Sequence, residues 1–171
     1  MDRLTPLLHH FSLRAGIFYT GNICGIHDFH HDASQGHIHL IKRGPVQVIG
    51  VRKEIMNITE PTILFLPRPD THRLVADEQT GADVVCATVK FGAGGGNPIT
   101  DSLPAVVEVE LAALPRVHSL LDLMFDARPA AQTHCLRRRV RQRERPDPRL
   151  RSKARLFTNG VAEAFWRGVK A

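Results

Sequence analysis

The residues through which this chain could do chemistry are histidines. His37 and His39 form an H-x-H step, and His72 closes the later run Pro67-Arg68-Pro69-Asp70-Thr71-His72. Successive residues of a β-strand point to opposite faces, so a strand here puts His37, His39 and Ile41 on one face and Ile38, Leu40 and Lys42 on the other. Two imidazoles are thereby aimed at one space. If the sheet curls into a small barrel, His72 reaches the same space, the barrel mouth, from a neighbouring strand. Three neutral imidazoles are a competent ligand set for Zn, Fe, Mn or Ni, with zinc–nitrogen bonds of about 2.0–2.1 Å. His27 is the best-placed further ligand if its strand lies alongside. The favoured reading is the simpler one, in which the three imidazoles line a pocket and hydrogen-bond its walls or its contents.

By strict alternation Arg43 shares the histidine face. A cation there opposes a bound metal ion and instead suits a carboxylate or a hydroxyl-rich molecule, which a guanidinium can grip with two parallel N–H donors. Arg68, between two prolines, and Arg73, beside His72, add positive charge near the same mouth. His37, His39, Arg43, Arg68 and His72 are therefore the candidate ligand-binding residues, for a sugar-like or anionic small molecule. Catalytic residues are not indicated. The sequence has no G-x-S-x-G, no Cys/His/Asn set and no spaced carboxylate pair. The Gly92–Gly96 stretch runs into Asn97-Pro98 rather than a helix opening with Gly-Lys-Ser/Thr, so it does not read as a phosphate cradle.

The elements that must position these residues are short strands. Arg14–Thr20 and Ile23–Phe29 read as strands around a Gly21-Asn22 turn. Gly44-Pro45 cannot sit inside a central ladder and marks a turn or bulge. Val46–Val51, the end of Arg52–Thr59, Ile63–Leu66, Asp83–Phe91 and Val106–Leu111 complete the set. Strands at this close spacing, separated by turn signals, indicate a β-sandwich or barrel. Leu4–Phe11 and Val117–Phe125 carry helix-spaced apolar residues, predicting a short N-terminal helix or arm and a C-terminal helix.

Charge is unevenly distributed along the 171 residues, whose formal net charge is +6. Residues 1–127 carry 10 basic and 14 acidic side chains, whereas residues 128–171 carry 13 and 3. The basic character thus belongs to the tail, which has few aromatics to stack on bases and reads as a solvated extension. Three cysteines without C-x-x-C spacing indicate neither a disulfide framework nor a zinc ribbon, and no apolar run is long enough to span a bilayer. The cytoplasm is the expected location.

The H-x-H step, the intervening Gly50 and the later P-x-x-x-x-H together resemble the two-motif signature of the cupin barrel. Within the cupins, His39–Gly44 (HLIKRG), Thr62–Leu74 (TILFLPRPDTHRL) and Asn97–Pro104 (NPITDSLP) look most like the sensor half of AraC-type transcription regulators. The resemblance covers roughly residues 1–125. It implies a mainly β, cupin or jelly-roll-like barrel, an effector-binding and dimerising role, and helices after the barrel at the dimer interface. Metal-binding cupins usually carry a carboxylate four residues after the second histidine. Arg43 occupies that place here, which favours a sensor without a cofactor over the alternative, a metal-dependent isomerase or dioxygenase using His37, His39 and His72. The division expected is a ligand-sensing domain over 1–126 and an Arg-rich tail over 127–171, disordered or the frame-shifted or truncated end of a regulator. The helix-turn-helix module of the family is not recognisable in the tail, so sequence-specific DNA binding is not expected from this chain alone. The expected partners are a small-molecule effector and a second copy of the chain.

Overall fold

The computed structural model describes residues 14–30, 35–51, 55–90, 98–114 and Asp122. Among these residues nine strands run in order: β1 (Arg14–Ile23), β2 (Gly25–Phe29), β3 (Gly36–Arg43), β4 (Val46–Ile49), β5 (Ile55–Ile58), β6 (Thr62–Leu66), β7 (His72–Ala76), β8 (Ala82–Lys90) and β9 (Val107–Glu110). A short helix, α1 (Pro98–Ser102), lies between β8 and β9, and a 3₁₀ turn at Leu111–Ala113 follows β9. The strands form two antiparallel sheets, ordered β1-β8-β3-β6-β9 and β2-β7-β4-β5. The expected mainly β, cupin-like architecture is what the chain adopts.

The core lies where the two sheets face each other. On the larger sheet, His39 of β3 stands opposite Leu64 of β6 and Cys86 of β8, and His37 stands opposite Leu66 and Thr88. Ile41, Leu64, Leu66, Val84 and Cys86 from this face pack with Phe29, Val46, Val48, Ile58, Leu74 and Ala76 from the smaller sheet. Fully burying each Leu, Ile, Val or Phe side chain contributes about 1.5–3 kcal/mol. The other face of the larger sheet is buried as well, through Ile38, Leu40, Ile63, Phe65, Val85, Ala87 and Val89. Being covered on both sides explains why β3, β6 and β8 read as near-continuous apolar runs instead of alternating ones.

Two turns differ from the sequence reading. Gly21-Asn22 is not a turn but part of β1, opposite Val84 and Asp83 of β8. The Asn22 side chain donates to the Asp83 carboxylate (3.1 Å), and the Tyr19 hydroxyl donates to the Asn22 carbonyl (2.8 Å). The chain instead passes from the larger sheet to the smaller one at Cys24-Gly25, where Gly25 takes a φ of 70° that a side chain would resist. β4 stops at Ile49, short of the expected Val51, because Gly50 turns away at φ 103°. Gly44-Pro45 does separate β3 from β4. Cys24 is disulfide-bonded, its partner lying outside the described residues, and Cys86 is a buried free thiol. The expected N-terminal helix, the Gly92–Gly96 stretch, the C-terminal helix apart from Asp122, and the basic tail also fall outside the described residues. Asp122 pairs with Lys42 of β3 at 2.8 Å. Among the described residues no helix is long and apolar enough to cross a membrane.

Candidate functional site

His37 and His39 come from β3, at the centre of the larger sheet, because alternation turns both toward the sandwich interior. His72 is the first residue of β7, in the smaller sheet, and pairs in register with Phe29 of β2. It therefore meets the other two across the sandwich and not, as alternation alone suggested, from an adjacent strand. The ring centroids of His37 and His39 are 5.9 Å apart, those of His37 and His72 5.1 Å, and those of His39 and His72 4.9 Å. All three side chains are at most 1% exposed. Phe29 closes the cluster, stacked on His72 at 5.0 Å with 6° between planes and edge-on to His39 at 4.7 Å. Phe18 meets both Phe29 and His37.

Two of the imidazoles are joined directly, His39 Nε2 to His72 Nε2 at 2.7 Å. Their second nitrogens are also engaged: His39 Nδ1 lies 3.2 Å from Cys86 Sγ, and His72 Nδ1 lies 3.2 Å from the Asp70 carbonyl. Burial dominates the electrostatics, since removing water disfavours the charged form. It holds His39 well below the ordinary histidine value, with His72 and His37 adding repulsion. Burial and the neighbouring His37 pull His72 down to about 4, against a small opposing effect of its bond to the Asp70 carbonyl. The same burial pushes the Cys86 thiol up, keeping it protonated. His39 and His72 are thus a neutral, hydrogen-bonded pair packed against Phe29.

As they stand, these side chains do not fit a resident metal ion. Two nitrogens bound tetrahedrally to one zinc sit about 3.3 Å apart, given bonds of about 2.0–2.1 Å. The 2.7 Å separation of His39 and His72 is that of a hydrogen bond, with a proton and not a cation between the nitrogens. Among the described residues no set of three His, Cys, Asp or Glu side chains is disposed to hold a metal. His27, the proposed further ligand, is buried on β2 and its Nε2–H donates to the Cys24 carbonyl at 2.9 Å.

The arginines are placed elsewhere than at the cluster. A register shift between Ile41 and Arg43 breaks the alternation that put Arg43 on the histidine face. Its side chain is 70% exposed and its Nε donates to Asp83 at 3.0 Å. Arg73 pairs with Asp28 at 2.6 Å. Arg68 donates from one nitrogen to the carbonyls of Thr100 (2.7 Å) and Leu103 (3.0 Å), fastening the β6–β7 loop to the end of α1. Sequence reasoning missed Phe18, Phe29, Cys86 and the Asp70 carbonyl as members of the site. Cys86 and Phe29 lie on strands that the sequence does indicate, but only the non-local pairing β3·β8 and β2·β7 brings them to the histidines.

A family model described as cupin matches residues 2–135 of the chain. No curated protein matches it. Among solved structures, an apo variant of ToxT from Vibrio cholerae strain SCE256 aligns at 13% identity and a TM-score of 0.45, over 66% of this chain and 47% of that one. Wild-type ToxT of the same strain, bound to an unsaturated fatty acid, aligns at 12% and 0.42, over 67% and 48%. ToxT from Vibrio cholerae O395 aligns at 8% and 0.42, over 89% and 55%. The chain spans about half the length of these ToxT structures.

Proposed function

This chain belongs to the cupin family, and from that premise we propose that it is the effector-sensing part of an AraC-type transcription regulator, not an enzyme. The observation that carries the reading is the convergence of His37, His39 and His72, from two facing sheets, on one buried point walled by Phe18 and Phe29. Burying polar rings costs stability unless every donor and acceptor is matched, and an apolar core of the same shape avoids that cost. A binding site is a reason to keep them. Of the three sequence segments that resemble AraC-type sensors, the first supplies His39 and the second His72, and Arg68 of the second is bonded to Thr100 and Leu103 of the third.

The mechanism is closure around a ligand. An effector that takes up the hydrogen bonds joining β3 to β7 favours one spacing of the two sheets over another, and its differential affinity sets the size of the shift. The regulator acts in the cytoplasm as a homodimer, with DNA contacted by residues other than those of the barrel. His39 and His72, both lowered by burial, are not an acid–base pair poised near neutral pH. A thermal-shift screen of small molecules tests the reading. A true effector at about 100 times its Kd stabilises the fold by about 2.7 kcal/mol, and His39→Ala abolishes that shift. Binding unaffected by His39→Ala, or turnover of a substrate with a stoichiometric metal, refutes it.

A further inference from the structure

We infer that the Asp70 carbonyl sets the hydrogen-bonding polarity of the His39–His72 pair, with the Cys86 thiol at its donor end, and that the pair so ordered selects an uncharged ligand bearing a single hydroxyl on an aromatic or otherwise apolar body. This rests on the sensor reading above and adds to it the ligand's chemistry. The polarity follows from one fixed end. The Asp70 carbonyl can only accept, so the His72 nitrogen 3.2 Å from it, Nδ1, carries the hydrogen. A neutral imidazole has one N–H, which leaves His72 Nε2 as a bare acceptor. The proton in the 2.7 Å contact therefore sits on His39 Nε2. His39 Nδ1 is then bare in turn, and the group 3.2 Å from it, the Cys86 thiol, donates S–H. Three bonds run in one direction, from Cys86 through His39 and His72 to Asp70.

A ligand that enters between β3 and β7 breaks the central bond of this chain. It then faces one donor, His39 Nε2–H, and one acceptor, His72 Nε2. A hydroxyl satisfies both with a single oxygen, accepting from His39 and donating to His72. An ionised carboxylate offers acceptors only and confronts the lone pair of His72, while Arg43, Arg73 and Arg68 are engaged with Asp83, Asp28 and main-chain carbonyls. A polyol satisfies the pair with one group but leaves its other hydroxyls against Phe18 and Phe29, where burial without a partner is costly. The Phe29 ring, stacked on His72, suits a flat apolar body.

The test uses the full chain with ¹⁵N-labelled histidine. Long-range ¹H–¹⁵N spectra at neutral pH are expected to show His39 as the Nε2–H tautomer and His72 as the Nδ1–H tautomer. Cys86→Ala, which removes only the group at the donor end, is expected to preserve both. The ligand class is then read with benzyl alcohol and benzoate, which share a ring and differ in the polar group. Benzyl alcohol is expected to move the His39 Nε2 and His72 Nε2 resonances, and benzoate to leave them in place. A His39 Nδ1–H or His72 Nε2–H signal in the wild type, or a changed tautomer of either ring in Cys86→Ala, overturns the polarity fixed at Asp70. Equal perturbation by benzoate, or silence from both probes, overturns the ligand class. Neither result touches the sensor reading, which falls to the thermal-shift screen or to metal-dependent turnover.

Discussion

Mild acid should loosen this fold well before its carboxylates titrate. The perturbation is a change from about pH 7.5 to about pH 5. His72 is pulled from 6.5 to about 4 in the folded protein, so the native state resists a proton that the unfolded chain takes up readily. Because the folded value is the lower one, the stability is fully present above about pH 6.5 and is lost as pH falls toward 4. Linkage gives a loss of about 2 kcal/mol by about pH 5 from His72 alone. His39, lowered further by complete burial, and His27, lowered by burial, act in the same direction. The carboxylate shift among the described residues works elsewhere: Asp77, held low by the Thr80 and Gln79 amides, loses its contribution only below the usual carboxylate range. Urea titrations followed by circular dichroism at intervals across the window measure the effect. His72→Gln, which cannot titrate, should flatten the slope. A wild-type stability constant to within about 0.5 kcal/mol between the two pH values would refute the reasoning, since it means the imidazoles are not held neutral by burial.

Four further outcomes are expected. Arg68→Ala removes a charged donor from two main-chain carbonyls and should cost about 1–3 kcal/mol in chemical denaturation, an unchanged midpoint counting against the clamp. Gly36→Ala drives a methyl group into the carbonyl oxygens of Leu66 and Pro67, which are backbone atoms unable to yield, so a loss of about 2 kcal/mol or more is expected by the same assay. Leu74→Ala opens the fully buried heart of the core and should cost about 2–5 kcal/mol by thermal or urea unfolding. Elemental analysis of protein purified without chelators should find far below one equivalent of Fe, Mn, Ni or Zn; a tightly held equivalent would show that His39 and His72 part to admit an ion.

What the sequence made legible was local. Alternation placed His37 and His39 together, and Gly44-Pro45 and the proline-bounded run before His72 marked real breaks. Alternation also failed where geometry departs from it. The register shift between Ile41 and Arg43 swung an arginine out of the interior, and a one-residue slip of this kind is invisible in a pattern of period two. Gly21-Asn22 looked like a turn by composition, yet the pairing of β1 with β8 and the Asn22–Asp83 bond hold it in a strand. The Phe29 and Cys86 contributions were beyond reach because they depend on which strands pair, and β3·β8 and β2·β7 join residues forty or more positions apart.

The loop from Pro67 to Thr71 has two attachments. At one end the Asp70 carbonyl terminates the interior chain of imidazoles; at the other, Arg68 grips the carbonyls of Thr100 and Leu103. Stiffened by Pro67 and Pro69, such a loop behaves as a short lever. Under the sensor proposal, this loop is the path from the His72 ring to the Thr100–Leu103 segment that follows β8.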